Sequence, residues 1–587
     1  MAKHWRIHAH DPQRIAALCG AAGVPAVVAQ LLICRGLGDP QQARAFLDAK
    51  LSDLRPPEQL PGTTLAADRR LAAIAAGWRI VVYGDYDVDG MTGASLLWQC
   101  LKLLGGNAHY YVPHRIEEGY GLNDEALGTL AREGTQLIVT VDCGIASLDQ
   151  ADTAARLGIE LIVTDHHEFA ERLPVASAIV HPRLPGTNYP FAGLSGSGVA
   201  LKLAWALCQR ASGATRVTER MRNFLLDAVG LAALGTVADM VPLVDENRVL
   251  VQYGLASLKE RAGPGLLTLM RLAEVAGKPA LSCEDLGFAI APRLNAAGRL
   301  GQAQLGVELL TTSSTERATA LAEYINELNS SRQSLERSIY LAALKQAQET
   351  YDLERDAALV LAEHGWHPGV IGIVAGRLAE KFCRPVVMIG LDSAGVKPGI
   401  GSARSVPGFN LHQALAACSQ HLLSHGGHAA AAGLKIEEHA VAAFREAFCE
   451  VVSSEIVPGQ RQAELWIDAE LPLGALTLET VSQIDRLAPF GHSNHRPLFS
   501  AIGITLAEPP RRIGGGGRHL ALKVAQCGVC LRAVAFGGGD WIDELTQAEG
   551  ELDIVFRPMI NDFRGRRSVE LQITDWSVGA PVSAAGS

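Results

Sequence analysis

Residues 81–97 read VVYGDYDVDGMTGASLL: an apolar run opens directly into three alternating aspartates, Asp85, Asp87 and Asp89, framed by Gly84 and Gly90. An Asp-rich turn between a strand and a helix is often a solvated connector with one Asp as helix N-cap. Three carboxylates this close, however, repel and raise one another's pKa unless a cation sits among them. Hard oxygen donors suit Mg²⁺ or Mn²⁺. What else arrives at the same place decides between a turn and half of a metal centre.

The chain around this stretch repeats strand, glycine-containing turn, helix. RIVVY (79–83) precedes GDYDVDG, QLIVTV (136–141) precedes DCGI with Asp142, and LIVT (161–164) precedes DHHE with Asp165, His166 and His167. This alternation predicts a doubly wound α/β domain on a mainly parallel sheet, over residues 60–276. In such sheets the C-terminal strand ends line one crevice, and all three strands end in Asp or Asp-His-His. A further aspartate, Asp239, follows a helical stretch in GLAALGTVADMVPL (230–243). Several carboxylates and a neutral imidazole converging there make a site for two divalent cations, Mn²⁺ or Mg²⁺, the nitrogen favouring Mn²⁺. Two such ions serve in-line displacement at phosphorus, so phosphoester hydrolysis is the expected reaction.

Downstream, Leu321, Ile325, Leu328, Leu335 and Ile339 recur at helical spacing with no Gly or Pro from Thr315 to about Thr350. This predicts one long connecting helix closing a helical linker at 277–350, with a break near Asn329-Ser330-Ser331 as the alternative. Residues 357–390 again read strand, loop, helix, strand, a smaller α/β domain placed at 351–457 and ending near Pro458-Gly459. From residue 463 short alternating runs appear, LFSAIGITLAEPP, HLALKVAQ, VCLRAVAF, ELDIVFRPMI and SVELQITDW. They predict a β-barrel of the oligonucleotide-binding (OB) type at 458–587, a β-sandwich also fitting the spacing. Arg511, Arg512, Arg518, Arg564, Arg566 and Arg567 give this region basic loops, which favour the OB reading. Residues 1–59 read as a separate segment of short helices.

The fold class is therefore α/β multidomain. At 587 residues the chain is too long for one core, and 48% hydrophobic with 19% charged residues fits ordered domains. The net charge of −10 excludes blanket attraction to nucleic acid and leaves room for a local basic groove. Eleven scattered cysteines fit reduced thiols rather than a disulfide framework. Cys527-Gly-Val-Cys530 lacks a second ligand pair and reads as a hairpin turn, with no metal. No apolar run reads as long enough for a membrane helix, and MAKHWRIHAHDPQR at the N-terminus lacks a signal-peptide core, so a cytoplasmic location without membrane contact is expected.

GDYDVDGMTG, VDCGI, TDHHE and GTVADMVPL resemble the four motifs of the DHH phosphoesterase superfamily. With APRLNAAGR, GIGSARS and GGHAAAAG, nearly the whole chain resembles the bacterial RecJ single-strand-specific exonucleases, which carry DHH and DHHA1 domains. Asp85 stands where some relatives carry His.

The resemblance implies that Asp87, Asp89, Asp142, His166 and Asp239 are metal ligands, with Asp142 bridging. It places Asp85 and His167 in or just behind the ligand shell, His167 toward the scissile phosphate, and Asp165 as the group that orients the histidines. Water is then the nucleophile. Ser402, Arg404, Gly427 and His428 would hold a substrate phosphate; Arg293, Asn295 and Arg299 read as contacts to the DNA backbone, with a structural salt bridge as the alternative for each arginine.

The expected activity is 5′-to-3′ hydrolysis of single-stranded DNA bearing a 5′-phosphate, in recombination and repair, by a monomer. A single-strand-binding protein and a repair helicase are the expected partners. A phosphohydrolase of short oligonucleotides or cyclic dinucleotides is the alternative, and an inactive scaffold in a replication complex is another. The first would not need the basic barrel, and the second is expected to have lost ligands that are all present here.

Overall fold

Strand Arg79–Gly84 leads into helix Val88–Leu103, whose N-terminus is capped by the Asp87 carboxylate accepting from Gly90 N–H at 3.0 Å. The computed structural model describes residues 3–213, 216–353, 355–456, 464–548, 550–563 and 565–578. These form two compact units, one of Leu51–Arg461 and one of Met1–Lys50 with Gln462–Ser587.

In the first unit, five parallel strands stand in the spatial order Asn107–Tyr111, Arg79–Gly84, Leu137–Val141, Glu160–Thr164, Ala178–Val180. Helices cover both faces, so the central strands are apolar on both sides and Ile80, Val82, Ile138 and Val139 are fully buried. The order of the strands reverses at Arg79–Gly84, the chain stepping outward on one side to Asn107–Tyr111 and on the other to Leu137–Val141, which makes the switch point at which such sheets open a crevice. Asp85 and Asp142 leave the sheet at that point.

Behind the sheet, helix Val88–Leu103 packs on Gly196–Ser212 and Glu219–Ala238. The fit depends on missing side chains: a β-carbon at Gly93 would lie 2.6 Å from Val141 Cγ1. Contrary to the sequence expectation, Glu219–Ala238 is long and apolar enough to cross a membrane by length and composition; half of its apolar window is buried inside the protein, as in a core helix.

Helix Thr315–Thr350 is continuous over 36 residues through Asn329, without the alternative break. It packs against Ala291–Arg299 on one side and Pro368–Phe382 on the other. Beyond it, a mixed five-stranded sheet carries the strand Gly399–Arg404 at its centre, between Val386–Leu391 and Ala431–Ile436.

The second unit contains a closed barrel. Phe499–Leu506, Leu552–Phe563, Arg566–Val578, Val529–Ala535 and His519–Gln526 pair in sequence, and the last pairs back to the first through Thr505–Ala525 and Leu506–Val524. Closure removes the free edges that the sandwich alternative would leave. Cys527-Gly528 makes the tight turn between His519–Gln526 and Val529–Ala535.

Residues 1–59, read from sequence as a segment of their own, divide. Strand His4–Ile7 pairs in parallel with Glu464–Ile467, and Leu18, Leu31 and Leu47 share one core with Val481, Phe499 and Phe556. Arg35 donates to Asn494 Oδ1 at 2.9 Å and to the His495 carbonyl. The cause is that the three short helices have too little apolar surface to form a core alone. Pro458, Gly459 and Arg564 lie outside the described residues.

Candidate metal centre

Asp85, Asp87, Asp89, Asp142, His166, His167 and Asp239 meet at the C-terminal end of the parallel sheet. Ligand atoms of Asp85, Asp87 and Asp142 lie within 4.8 Å of one another, as do those of Asp89, His166 and Asp239, and those of Asp142, His166 and His167. The first two groups join where His166 Nε2 stands 3.0 Å from Asp142 Oδ1. His166 Nε2 is also 3.9 Å from Asp89 and 3.6 Å from Asp239.

Each carboxylate is aimed by local structure. Asp89, in the first turn of its helix, accepts Gly196 N–H at 2.6 Å and Ser197 N–H at 3.0 Å from the start of another helix, Gly196–Ser212. It has room because Gly235 carries no side chain, a β-carbon there falling 2.4 Å from Asp89 Oδ1. Asp142 turns off its strand at φ +65°, a left-handed conformation that Asp tolerates better than most residues. Asp239 caps the C-terminus of Glu219–Ala238.

The electrostatics are those of an acidic cluster lacking its counter-charge. Burial, then repulsion from Asp87, pushes Asp89 up to about 6. Burial and the charges of Asp89 and Asp87 push Asp239 up to about 9. Asp85 and Asp142 are driven well above the carboxylate range by the same causes. Asp85 Oδ1 is buried with no hydrogen-bond partner.

Burial and the neighbouring His167 lower His166 to about 3, so its imidazole is neutral and able to ligate. Carboxylates, one neutral imidazole and an orphaned buried oxygen fit two divalent cations of the Mn²⁺ or Mg²⁺ type.

Asp165 stands apart in role. It accepts from Ile145 N–H, His166 N–H, His167 N–H and His167 Nδ1, and although burial opposes ionisation, the bond from His167 holds it down at about 2. Burial in turn disfavours charge on His167, but Asp165, Asp239 and Asp85 outweigh it and raise that imidazole to about 9.

Sequence reasoning passed over Tyr120. Its hydroxyl donates to the Asp142 carbonyl at 3.1 Å and lies 3.0 Å from His167 Nδ1. The available signal was its place between Gly119 and Gly121, both at positive φ. Arg115, stacked 4.7 Å over Tyr86, and the Gly196-Ser197 helix start were missed as well.

The remaining candidates divide. Ser402 and Arg404 share one face of their strand, Arg404 Nη1 donating to Ser402 Oγ at 3.2 Å. Gly372 clears the space over them, since a β-carbon there would be 2.7 Å from Ser402 Oγ. Arg299 donates to the Gly369 carbonyl at 3.2 Å. Burial, then crowding by Arg115, Arg332 and Arg404, lowers it to about 10. Gly427 adopts φ +134° and His428 is exposed. Arg293 is held by Asn326 Oδ1 at 3.0 Å and the Ala289 carbonyl, while Asn295 is half-buried on the same helix.

Comparison with known proteins gives the same arrangement. The N-terminal domain of the DHH family matches residues 79–236, the DHHA1 domain 355–454, and the RecJ OB domain 467–575. The single-stranded-DNA-specific exonuclease RecJ of Bacillus subtilis is 36% identical over 98% of this chain and 71% of that protein. The Escherichia coli protein of the same name is 35% identical over 95% of this chain and 97% of its own length. The crystal structure of RecJ from Thermus thermophilus in complex with Mn²⁺ superposes with a TM-score of 0.83 at 31% identity, covering 98% of this chain and 80% of that one. With its aspartates and DHH histidines on one parallel sheet, and its DHHA1 and RecJ OB domains following in order, this chain belongs to the RecJ family.

Proposed function

We propose that the chain is a metal-dependent exonuclease that hydrolyses single-stranded DNA from its 5′ end. The observation that carries this reading is the pair of three-residue groups joined at Asp142 and His166, side by side at a sheet switch point. Asp85, Asp87 and Asp142 would hold one ion and Asp89, His166 and Asp239 the other. Bound there, such ions would supply the charge stabilisation that an in-line displacement at phosphorus needs.

The chain's own groups do the rest. Asp165 fixes both histidines and keeps His167 protonated, so that its free ring nitrogen offers a hydrogen bond to the phosphoryl oxygens. Tyr120 braces Asp142 and His167 together. Polarity requires an end-recognising pocket, because a two-metal centre is indifferent to strand direction. Ser402, Arg404 and Arg299, with His428 and the Gly427 turn, supply that pocket for a 5′-phosphate, and Arg293 and Asn295 flank the path. The chain acts as a cytoplasmic monomer in recombination and repair, with a single-strand-binding protein and a repair helicase as partners.

A digestion time course on end-labelled single-stranded DNA, duplex DNA, RNA and dinucleotides with Mn²⁺ tests the reading. Mononucleotide release from the 5′ end of single strands alone is expected. Equal digestion of duplex, or activity confined to dinucleotides, overturns it.

A further inference from the structure

Two large apolar side chains stand in solvent beside the metal centre, where the mechanism gives them nothing to do. Phe288 is 82% exposed and Met240 is 72% exposed. Met240 directly follows Asp239, at φ +57°. Phe288 lies on a single widened helical turn, Asp285–Ile290, that packs on the helix ending at Asp239, and a β-carbon at its neighbour Gly287 would lie 3.8 Å from Val237 Cγ1.

The segment that carries Phe288 borders the centre from one side to the other. It continues into helix Ala291–Arg299, whose far end closes on the first aspartate loop, a β-carbon at Gly298 falling 2.1 Å from the Tyr86 carbonyl. Phe288 therefore marks the Asp239 side of the rim and Arg299 the Asp87 side. The wide turn is anchored rather than loose: Asp285 accepts from Ser282 N–H at 2.9 Å and from Lys278, and Arg293 donates back to the Ala289 carbonyl. Single widened turns of this kind occur frequently at functional sites.

We propose that Phe288, with Met240 on the adjoining turn, is a stacking platform for one unpaired nucleobase of the strand entering the metal centre. This rests on the exonuclease reading above. An aromatic face offers stacking to any base without sequence preference, while arginines on the same segment serve the phosphates. In a duplex each base is already stacked and paired within the helix, so the platform favours single strands. Phe288 acts by positioning the strand and not on the reacting atoms.

The test pairs a protein change with a substrate change in the full-length, Mn²⁺-loaded enzyme. Phe288→Ala and Phe288→Tyr are compared with wild type on 5′-phosphorylated oligonucleotides, intact or carrying one abasic residue at successive positions from the 5′ end. Wild type is expected to lose about tenfold in kcat/KM when one particular position is abasic, the size of a single base–aromatic stack. Phe288→Ala is expected to lose about as much on the intact strand and to be insensitive to that abasic position, and Phe288→Tyr to regain sensitivity. An abasic penalty that is undiminished in Phe288→Ala overturns the platform while leaving the exonuclease reading intact. A wild type that digests no single strand overturns the exonuclease reading itself.

Discussion

Gly196 and Asp142 leave no room between them: a β-carbon on the glycine would sit 2.6 Å from both the β-carbon and Oδ1 of the aspartate. Asp142 is the carboxylate that touches both ligand groups, so a one-methyl change at Gly196 should displace it without removing any ligand. Gly196→Ala is expected to fold and to lose about 100-fold in kcat, the effect of a misplacement near 1 Å. Wild-type turnover in this variant, by single-turnover kinetics, would count against Asp142 as a ligand.

Asp87→Ala or Asp142→Ala removes a donor outright. Either should abolish cleavage while single-strand binding and the far-ultraviolet circular dichroism spectrum stay close to wild type. Substantial Mn²⁺-dependent hydrolysis by either variant would falsify the ligand assignment.

The acidic cluster also makes a pH prediction for the metal-free protein. Burial and the neighbouring carboxylates push Asp89 up to about 6 and Asp239 up to about 9 in the folded chain, above the ordinary carboxylate value. Between those values and the unfolded pKa these two groups bind more protons in the native state than in the unfolded one, so their contribution to stability falls as pH rises from about 4 to 9, opposed below about 6.5 by His166, which is lowered to about 3. Mn²⁺ must displace those protons, and its stabilisation should grow with pH. At 100 times its dissociation constant it contributes about 2.7 kcal/mol. Thermal unfolding at pH 5.5 and pH 8, with and without Mn²⁺, should show the larger gain at pH 8.

Arg404 is half-buried beside Ser402, and burial together with the charge of Arg115 lowers its pKa, which fits an anion as the missing partner. Truncation would remove charge-assisted hydrogen bonds of roughly 1.5–3 kcal/mol. Arg404→Ala is expected to weaken binding of 5′-phosphorylated strands by about one to two orders of magnitude and to erase most of the preference over 5′-hydroxyl strands. Matched oligonucleotides at one salt concentration decide it, and a variant that discriminates like wild type places the pocket elsewhere.

Removing the barrel requires care over what goes with it. A chain cut only near residue 458 would strip Leu18, Leu31 and Leu47 of their core partners. Residues 51–461 alone should instead keep hydrolysis of very short substrates and lose affinity for long single strands. The plot of binding against salt should become shallower as phosphate contacts are lost. An unchanged slope would remove the basic barrel loops from the DNA path.

What the sequence disclosed follows from what its patterns encode. Strands such as Leu137–Val141 announce themselves by short, largely apolar and β-branched runs, and the rule that ligands gather at strand ends brings Asp85, Asp142 and His166 together from the sequence alone. The long helix was legible because Leu321 through Ile339 keep one period. Contacts made across long separations in the chain were not legible. The backbone clamp of Gly196 and Ser197 on Asp89 joins residues 107 and 108 positions apart, and backbone donors leave no trace in residue type. Tyr120 reads as an ordinary loop tyrosine until the fold sets it beside His167. The pairing of His4–Ile7 with Glu464–Ile467 has no local signature at all.

That last pairing sets an order of events during synthesis. The barrel unit is built from the two ends of the chain, so its N-terminal helices leave the ribosome with Leu18 and Leu31 bare and must wait while residues 51–461 are made, roughly 20–80 s at ordinary elongation rates. The catalytic unit can complete itself in that interval. Until the final strands emerge, the nascent chain is an assembled metal centre trailing an exposed apolar surface, a state in which chaperone capture competes with the closing of the barrel.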